Sequence, residues 1–138
     1  MDQRKVINIA KLYSEKVRNF FNIGIYQIIL FGSYAKNNAT VDSDIDIAIV
    51  VEKFNDDYLS IITNLYKLTR NIDDRIEPLL FLKNNDKSGF LNQIQTEGKI
   101  LFSNIWLQCL YSDCVISNNC LIIAYWSSVK IVYSKNIN

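Results

Sequence analysis

Two carboxylates, Asp44 and Asp46, lie where an apolar run from Ile47 to Val51 begins. Successive side chains of a β-strand point to opposite faces, so residues two apart share a face, and these two acids repel each other there. A divalent cation relieves that repulsion, and Mg²⁺ takes one or two protein carboxylates and completes its shell with water and substrate phosphates. The spacing predicts a magnesium site for a nucleoside triphosphate, although Asp also collects at strand ends because it favours turns.

A Gly-Ser step upstream supplies the second part of such a site. Gly32 and Ser33 follow the apolar run Ile25 to Phe31 and precede a polar connection that leads to Ser43. Glycine lets a phosphate approach the backbone, and a short helix that begins at Ser33 and runs through Lys36 would present free N–H groups to the anion. Gly-Ser alone is a weak signal, whereas the order of strand, Gly-Ser, polar loop, Ser-Asp-x-Asp and strand is specific.

The chain resembles the minimal nucleotidyltransferases of the DNA polymerase beta superfamily, from about Ile25 to Phe102. Their signature is matched by Gly32-Ser33-Tyr34-Ala35-Lys36 and Ser43-Asp44-Ile45-Asp46. That family usually has Gly where this chain has Asn37, but Asn is the other residue that best tolerates left-handed backbone. The resemblance implies an α/β (α+β) nucleotidyltransferase fold, in which a small mixed sheet of about four or five strands is flanked by helices.

The same resemblance implies the contents of the site. Two Mg²⁺ ions would be bound by Asp44, Asp46 and a third carboxylate from a later strand, and ATP would be the substrate. The residues that match the family's nucleotide-binding positions are Gly32, Ser33, Lys36 and Ser43.

Glu77 is the predicted third carboxylate. It lies between Ile76 and the apolar residues from Leu79, as a strand residue would. Asp73 and Asp74 are the alternatives, and they fit better in a solvated turn before that strand. Pro78 cannot donate a ladder hydrogen bond, so this strand should lie at a sheet edge or carry a bulge.

The resemblance implies two destinations for the nucleotide. Small members are similar to the antitoxins of HEPN/MNT toxin–antitoxin pairs, which transfer AMP to a tyrosine of a HEPN-type ribonuclease toxin, and larger relatives modify aminoglycoside antibiotics. The short chain favours the toxin as partner. The alternatives are a noncatalytic module of the same fold that masks its partner, or a small-molecule nucleotidyltransferase of the aminoglycoside type.

Composition excludes several classes of site and partner. With 138 residues and 49% hydrophobic content, one compact domain is expected. The 15 basic and 14 acidic residues give no positive field for extended nucleic acid. The absence of histidine excludes His-based acid–base catalysis, His-ligated zinc and Ser-His triads.

The expected location of the protein and the redox state of its cysteines are inferred from sequence patterns that it lacks. Without a signal-peptide pattern or a membrane-length apolar run, a soluble cytoplasmic protein is expected. The three cysteines lie without Cys-x-x-Cys spacing, so we interpret them as free thiols.

Apolar periodicity predicts the elements that must position the site. Helices are expected over Asp2–Phe21, from a cap at Asn55-Asp56-Asp57 to about Thr69, and over Ser88–Glu97, with a left-handed Gly98 ending the last one. Strands are expected over Ile25–Phe31, Ile47–Val51, the segment around Glu77, and Lys99–Phe102. The side chains expected to face inward from the helices are Val6, Ile9, Ala10, Tyr13, Val17, Phe20, Phe21, Leu59, Ile62, Leu65, Tyr66, Thr69, Phe90, Leu91 and Ile94.

Residues 1–103 form the predicted nucleotidyltransferase domain, and residues 104–138 form an apolar extension. Cys120–Trp126 and Val129–Tyr133 have strand-like composition, with helix as an alternative for Ile105–Tyr111. The extension could complete the core, pair with another chain, or be a non-native product of an altered reading frame. Burial in the domain or in a homodimer is favoured, because an exposed apolar surface of that size would demand a partner.

Overall fold

A computed structural model describes residues 2–21, 24–54 and 56–104, together with the backbone of two strands at 122–126 and 129–133. The chain divides into two compact units, Met1–Asn104 and Ile105–Asn138. The predicted helix at Ile105–Tyr111 lies outside the described residues.

Three helices form in the first unit, and their starts follow from local capping. Helix α1 spans Gln3–Phe20, where the Asp2 carboxylate accepts a hydrogen bond from the Arg4 amide at 3.2 Å. Helix α2 spans Tyr58–Thr69, and its N-cap is Asp57, whose side chain accepts a hydrogen bond from the Ser60 amide. Helix α3 spans Phe90–Glu97. The helix predictions are confirmed to within two residues at each end.

A four-stranded mixed sheet lies between these helices in the described part of the chain. Its strands are β1 (Ile25–Phe31), β2 (Ile45–Val51), β3 (Ile76–Leu82) and β4 (Lys99–Ser103), in the order β3-β2-β1-β4. β1 runs antiparallel to β2 and β4, whereas β3 runs parallel to β2 after the α2 crossover. β3 is thus an edge strand of this sheet, as Pro78 requires.

The two faces of the sheet carry separate apolar cores because strand side chains alternate. Ile45, Ile47 and Ile49 of β2 join the larger core with α1 and α2. Ala48 and Val50 face the other way and pack with Leu91 and Ile94 of α3. Across the larger core, the buried Tyr13 hydroxyl donates to the Leu65 carbonyl at 2.9 Å and joins α1 to α2.

The three helices and the four-stranded mixed sheet confirm the predicted α+β class and strand count.

Several predicted details are wrong. Gly98 is extended, with φ −77° and ψ 167°, and a Cβ there would collide with Ile29, so close approach to β1 and not a left-handed turn explains this glycine. The buried stripe of α2 runs through Ile61, Leu65 and Thr69, so Leu65 and Thr69 are buried as predicted and Ile61 was missed. Four side chains expected inside are exposed, namely Phe20, Leu59, Tyr66 and Phe90.

The second unit is described by its backbone alone. β5 (Ile122–Trp126) and β6 (Val129–Tyr133) pair antiparallel, from Ile122 opposite Tyr133 to Trp126 opposite Val129. Strand formation in both apolar runs is confirmed. Among the described residues of the whole chain, no helix has the length and apolar character to span a membrane.

Candidate active site

Asp46 and Glu77 meet side by side on the sheet face that carries α3. β2 begins at Ile45, so Asp46 lies at the start of the strand as predicted. The parallel register places Asp46 opposite Glu77 of β3. A proton on either carboxyl group lets the two side chains share a hydrogen bond, and Glu77 is exposed to solvent while Asp46 is partly buried. The parallel register of β2 and β3 thus places Asp46 next to Glu77, the predicted third carboxylate.

The environment of Asp46 disfavours its charge. Burial raises the pKa of Asp46 to about 6, and the negative charges of Glu77 and Asp44 and the hydrogen bond to Glu77 raise it in the same direction. A carboxylate surrounded by like charge gains from a bound cation as well as from a proton. The donor set, hard oxygens in contact, fits Mg²⁺ chemistry.

Asp44 lies just before β2 and is exposed. Its charge reaches Asp46, but over residues 2–21, 24–54 and 56–104 no three Asp, Glu, Cys or His side chains are gathered closely enough to hold a metal ion. The described structure therefore contains a preformed pair, Asp46 and Glu77, and the expected group of three is not assembled in it. Asp44 stands at the end of a loop, where a bound cation could draw it in.

Gly32 fits the carboxyl pair sterically. It directly follows β1 and has φ +71°, a conformation that side-chain-bearing residues rarely adopt. A Cβ at this position would overlap Oδ2 of Asp46 and lie 3.1 Å from its Cγ. Glycine at this position therefore permits the positive φ of the turn and leaves room for the Asp46 carboxylate next to the backbone.

The segment after Gly32 is a compact turn and not the predicted short helix. The Lys36 amide donates to the Gly32 carbonyl at 3.2 Å, and the Asn38 amide donates to the Ser33 carbonyl at 3.1 Å. Asn37 has φ 59°, so its predicted tolerance for left-handed backbone is confirmed. Gln3 of α1 donates to the Tyr34 carbonyl at 3.3 Å and to the Asn37 side chain. With a single turn of backbone, the segment has no sustained helix dipole.

Ser43 belongs to the loop that leads into β2. Its hydroxyl accepts from the Thr40 amide at 2.8 Å, and its own amide donates to the Thr40 carbonyl at 3.2 Å. The Tyr34 hydroxyl also donates to the Thr40 carbonyl, at 3.3 Å. Ser43 and Tyr34 therefore fix the loop that carries Asp44, and a direct role for Ser43 in nucleotide binding stays a prediction.

Asp73, the alternative third acid, is bound by a neighbouring arginine. Arg75 donates from Nη2 to Oδ2 of Asp73 at 2.7 Å and from Nε to Oδ1 at 3.0 Å. These bonds lower the pKa of Asp73. Because both oxygens are engaged by Arg75, Asp73 is less available as a metal ligand than Glu77, and Asp74 is exposed in the adjoining turn.

Arg75 also connects two parts of the site, a role that the sequence did not reveal. Its Nη1 donates to the Val41 carbonyl at 3.3 Å, and its own carbonyl accepts from the Ile45 amide at 2.7 Å. The loop before Asp44 and the strand that carries Glu77 are thereby held together. The spacing of Asp73 and Arg75, two residues apart before a strand, is the local signal for their ion pair, but it gives no indication of the contact with Val41.

A pocket of about 170 Å³ has Gly32 in its lining. Lys36 lies at this pocket and pairs with Glu97 of α3, with 2.8 Å between Nζ and Oε2. The lining residues are Phe31, Gly32, Ala35, Lys36, Phe90, Gln93, Ile94 and Glu97. Glu97 and Gln93 were not predicted as site residues, since α3 carries no local motif and is distant from Lys36 in sequence.

Comparison with known proteins identifies the family. The sequence profile described as "Polymerase beta, Nucleotidyltransferase" matches residues 9–105, which is more than two thirds of the chain. The chain belongs to the polymerase beta nucleotidyltransferase family. This nucleotidyltransferase is 25% identical over 96 residues to MJ0141 of Methanocaldococcus jannaschii, which is named as a candidate protein adenylyltransferase; the match covers 68% of this chain and 96% of that protein.

Two solved structures share the nucleotidyltransferase fold. One is a toxin–antitoxin complex with AMP-PNP, with a TM-score of 0.53 and 26% identity over 67% of this chain and 73% of that one. The other contains a tri-AMPylated HEPN toxin of Shewanella oneidensis in complex with its MNT antitoxin, with a TM-score of 0.51 and 23% identity over 75% and 78% of the two chains. The predicted resemblance to minimal nucleotidyltransferases is confirmed.

Proposed function

We propose that this nucleotidyltransferase moves AMP from ATP to a hydroxyl group of a partner protein and acts as the antitoxin of a HEPN-type toxin. The observation that carries this proposal is the Asp46–Glu77 carboxyl pair, which lies against the backbone of Gly32 on the partly open face of the sheet. The proposal extends the family's shared chemistry to one donor and one class of acceptor.

The residues of the chain would bind and orient the two reactants. The turn from Gly32 to Lys36 would receive the triphosphate, with Ser33 and the backbone amides as donors and Lys36 as a positive charge. Asp44, Asp46 and Glu77 would hold two divalent cations, which neutralise the phosphate oxygens and make the acceptor hydroxyl more acidic. Arg75 and Tyr34 would keep the loop at Asp44 in place.

The proposed reaction exchanges one phosphoester bond for another. The acceptor oxygen forms a bond with the α-phosphorus, the bond from that phosphorus to the β-phosphate bridging oxygen breaks, and pyrophosphate leaves. The proton of the hydroxyl leaves to solvent water. Since the chain has no histidine, the increased acidity of the hydroxyl would come from the cations that Asp44, Asp46 and Glu77 would hold.

The comparisons support the choice of donor and acceptor. The name of the archaeal relative, a candidate protein adenylyltransferase, favours a protein acceptor and AMP as the transferred group. The toxin–antitoxin complex with AMP-PNP favours an adenine nucleotide and a toxin as partner. We infer that the toxin partner of this chain belongs to the HEPN class, because the Gly-Ser and Asp-x-Asp motifs resemble those of MNT antitoxins.

An AMP-transfer assay tests the proposal. The full chain would be incubated with α-³²P-labelled ATP, Mg²⁺ and the product of the neighbouring gene as the candidate toxin, and label on that protein would be measured after electrophoresis. We expect label transfer that EDTA abolishes and that Asp46→Asn and Glu77→Gln each reduce at least about a hundredfold. Asp74→Asn, an exposed acid beside the site, is the matched control and should retain full transfer.

The same assay distinguishes the noncatalytic alternative. If the chain inhibits the toxin and binds it tightly, but no label is transferred and Asp46→Asn leaves inhibition unchanged, it acts by masking its partner. That result would refute the transferase proposal.

A further inference from the structure

The ion pair between Lys36 and Glu97 occupies the pocket beside the candidate active site. Lys36 lies one turn beyond Gly32, whose backbone closely approaches Asp46. Glu97 is the last residue of α3, and its Oε1 accepts a further hydrogen bond from Gln93 at 3.3 Å. A carboxylate group from α3 is therefore held where Lys36 presents its positive charge.

The charges around this pocket suit an anion once Glu97 is displaced. Its lining residues carry one positive group, Lys36, and one negative group, Glu97, while Phe31 and Phe90 form an apolar wall. The Glu97 carboxylate already places an anionic oxygen next to the Lys36 ammonium, so a phosphate oxygen could take the same position. A phosphate that approached Lys36 would meet the like charge of Glu97 and would have to replace it.

We propose that Glu97 competes with the terminal phosphates of a nucleoside triphosphate for Lys36, and that the ion pair opens when the triphosphate binds. This inference rests on the proposed function, because it assumes that the triphosphate lies along the Gly32–Lys36 turn. Glu97 is then a residue that sets affinity through Lys36 and touches neither the reacting phosphorus nor the acceptor. A nucleoside monophosphate at the carboxyl pair has no terminal phosphates to reach Lys36. Its affinity should therefore not increase when Lys36 is released from Glu97.

Both partners of the ion pair are about half exposed, with side-chain accessibilities of 49% for Lys36 and 43% for Glu97. Solvent weakens such a pair, so it can be exchanged at small cost. The competition should therefore change nucleotide affinity by a modest factor and leave the fold intact.

Isothermal titration with α,β-methylene-ATP and Mg²⁺ measures this competition, because the analogue cannot be cleaved at the transferred phosphate. We expect Glu97→Gln to lower the Kd of the analogue about two- to fivefold relative to the wild-type chain. The Kd of AMP, measured in the same way, should not change. In a Lys36→Met background, Glu97→Gln should have a smaller effect on the Kd of the analogue, because only the direct repulsion between Glu97 and the phosphates is then removed.

Glu52→Gln is the matched control. Glu52 also pairs with a lysine, Lys83, at 4.0 Å, but it follows the far end of β2 from the carboxyl pair. Its removal changes net charge by the same amount and should leave both affinities unchanged. Melting temperatures of all variants report whether α3 has been disturbed, and Glu97→Ala serves as a second variant if Glu97→Gln lowers stability.

Three results would overturn the inference: an unchanged Kd in Glu97→Gln, an equal gain in the Lys36→Met background, or an equal gain for AMP. Each of these leaves the proposed function standing. If the wild-type chain and every variant fail to bind α,β-methylene-ATP, the proposed function and this inference fail together.

Discussion

At the scale of single residues, Gly32 is the position where backbone conformation and site geometry depend on each other most directly. Its positive φ alone would make a side chain costly, by about 1–2 kcal/mol. Its contact with Asp46 adds a steric demand, because a Cβ would displace the carboxylate. Gly32 therefore affects both stability and the position of the catalytic candidate.

The chain offers a control that separates these two effects. Gly89 has nearly the same conformation, φ +74°, but a Cβ there would meet nothing within 4 Å. We expect Gly32→Ala and Gly89→Ala both to lose about 1–2 kcal/mol of unfolding free energy in urea titrations, with the larger loss at Gly32. Only Gly32→Ala should reduce AMP transfer. Equal activity in the two variants would contradict the assigned contact with Asp46.

Asp46 gives a prediction about pH. Its pKa in the folded chain, about 6, exceeds the ordinary value of 3.8, so the folded state keeps its proton where the unfolded state has released it. Stability contributed by this group is therefore complete below about pH 4 and is lost as the pH rises to about 6. This direction is opposite to that of a carboxylate in a salt bridge.

Thermal unfolding in EDTA tests this sign. Relative to the wild-type chain, Asp46→Asn should melt higher at pH 8 and at a similar temperature at pH 4, because the amide removes the repulsion from Glu77 and Asp44. Mg²⁺ should raise the melting temperature of the wild-type chain at pH 8 and have a smaller effect on the variant. A variant that is less stable than the wild type at pH 8 would show that Asp46 is not under like-charge strain.

At the scale of elements, the sequence predicted the features that depend on residues close together in the chain, such as strand bounds and turn conformations. β1 forms over Ile25–Phe31 as predicted, and Glu77 lies in a strand as its apolar neighbours predicted, where the parallel register places it opposite Asp46. The left-handed Asn37 was also predictable from its side chain. These outcomes depend on residues that are close in sequence, or on alternation that every strand shares.

The incorrect predictions concern contacts between distant segments. The conformation of Gly98 is set by the proximity of Ile29, and the exposure of Phe90 by how far α3 covers the sheet. The pairing of Lys36 with Glu97 likewise joins residues that the sequence separates widely. Periodicity determines which side of a helix is apolar, but the packing of the folded chain decides how much of that side is covered.

The junction of α1 and α2 gives a prediction at this scale. The Tyr13 hydroxyl is buried and donates to the carbonyl of Leu65 at 2.9 Å. Tyr13→Phe should cost about 1 kcal/mol of unfolding free energy in urea, because the hydrogen bond is lost without a change in packing. Tyr58→Phe, at an exposed position of α2, is the matched control and should cost nothing measurable. Nucleotide affinity should be unchanged in both, since the junction lies on the other face of the sheet from Asp46.

At the scale of the whole chain, electrostatics decides which large substrates are compatible with the site. The 15 basic and 14 acidic residues give a net charge of +1, and three of the cations in the described part, Lys36, Arg75 and Lys83, are paired with carboxylates. Association with a duplex depends on releasing counterions from several phosphates at once, which needs a cluster of free positive charges. A protein surface is a more compatible acceptor than a polynucleotide, because its recognition does not need such a cluster.

This balance predicts weak binding to nucleic acid. Fluorescence anisotropy with a labelled RNA duplex in 150 mM salt should give a Kd weaker than about 10⁻⁴ M, the weak end of ordinary nonspecific binding. A single-stranded RNA primer incubated with ATP and Mg²⁺ should not be extended under conditions in which the toxin becomes labelled. Micromolar duplex binding, or extension of the primer, would instead assign the Asp46–Glu77 pair to polynucleotide synthesis. Because the same carboxylates would serve either reaction, the nature of the acceptor, and not the loss of activity in Asp46→Asn, distinguishes the two.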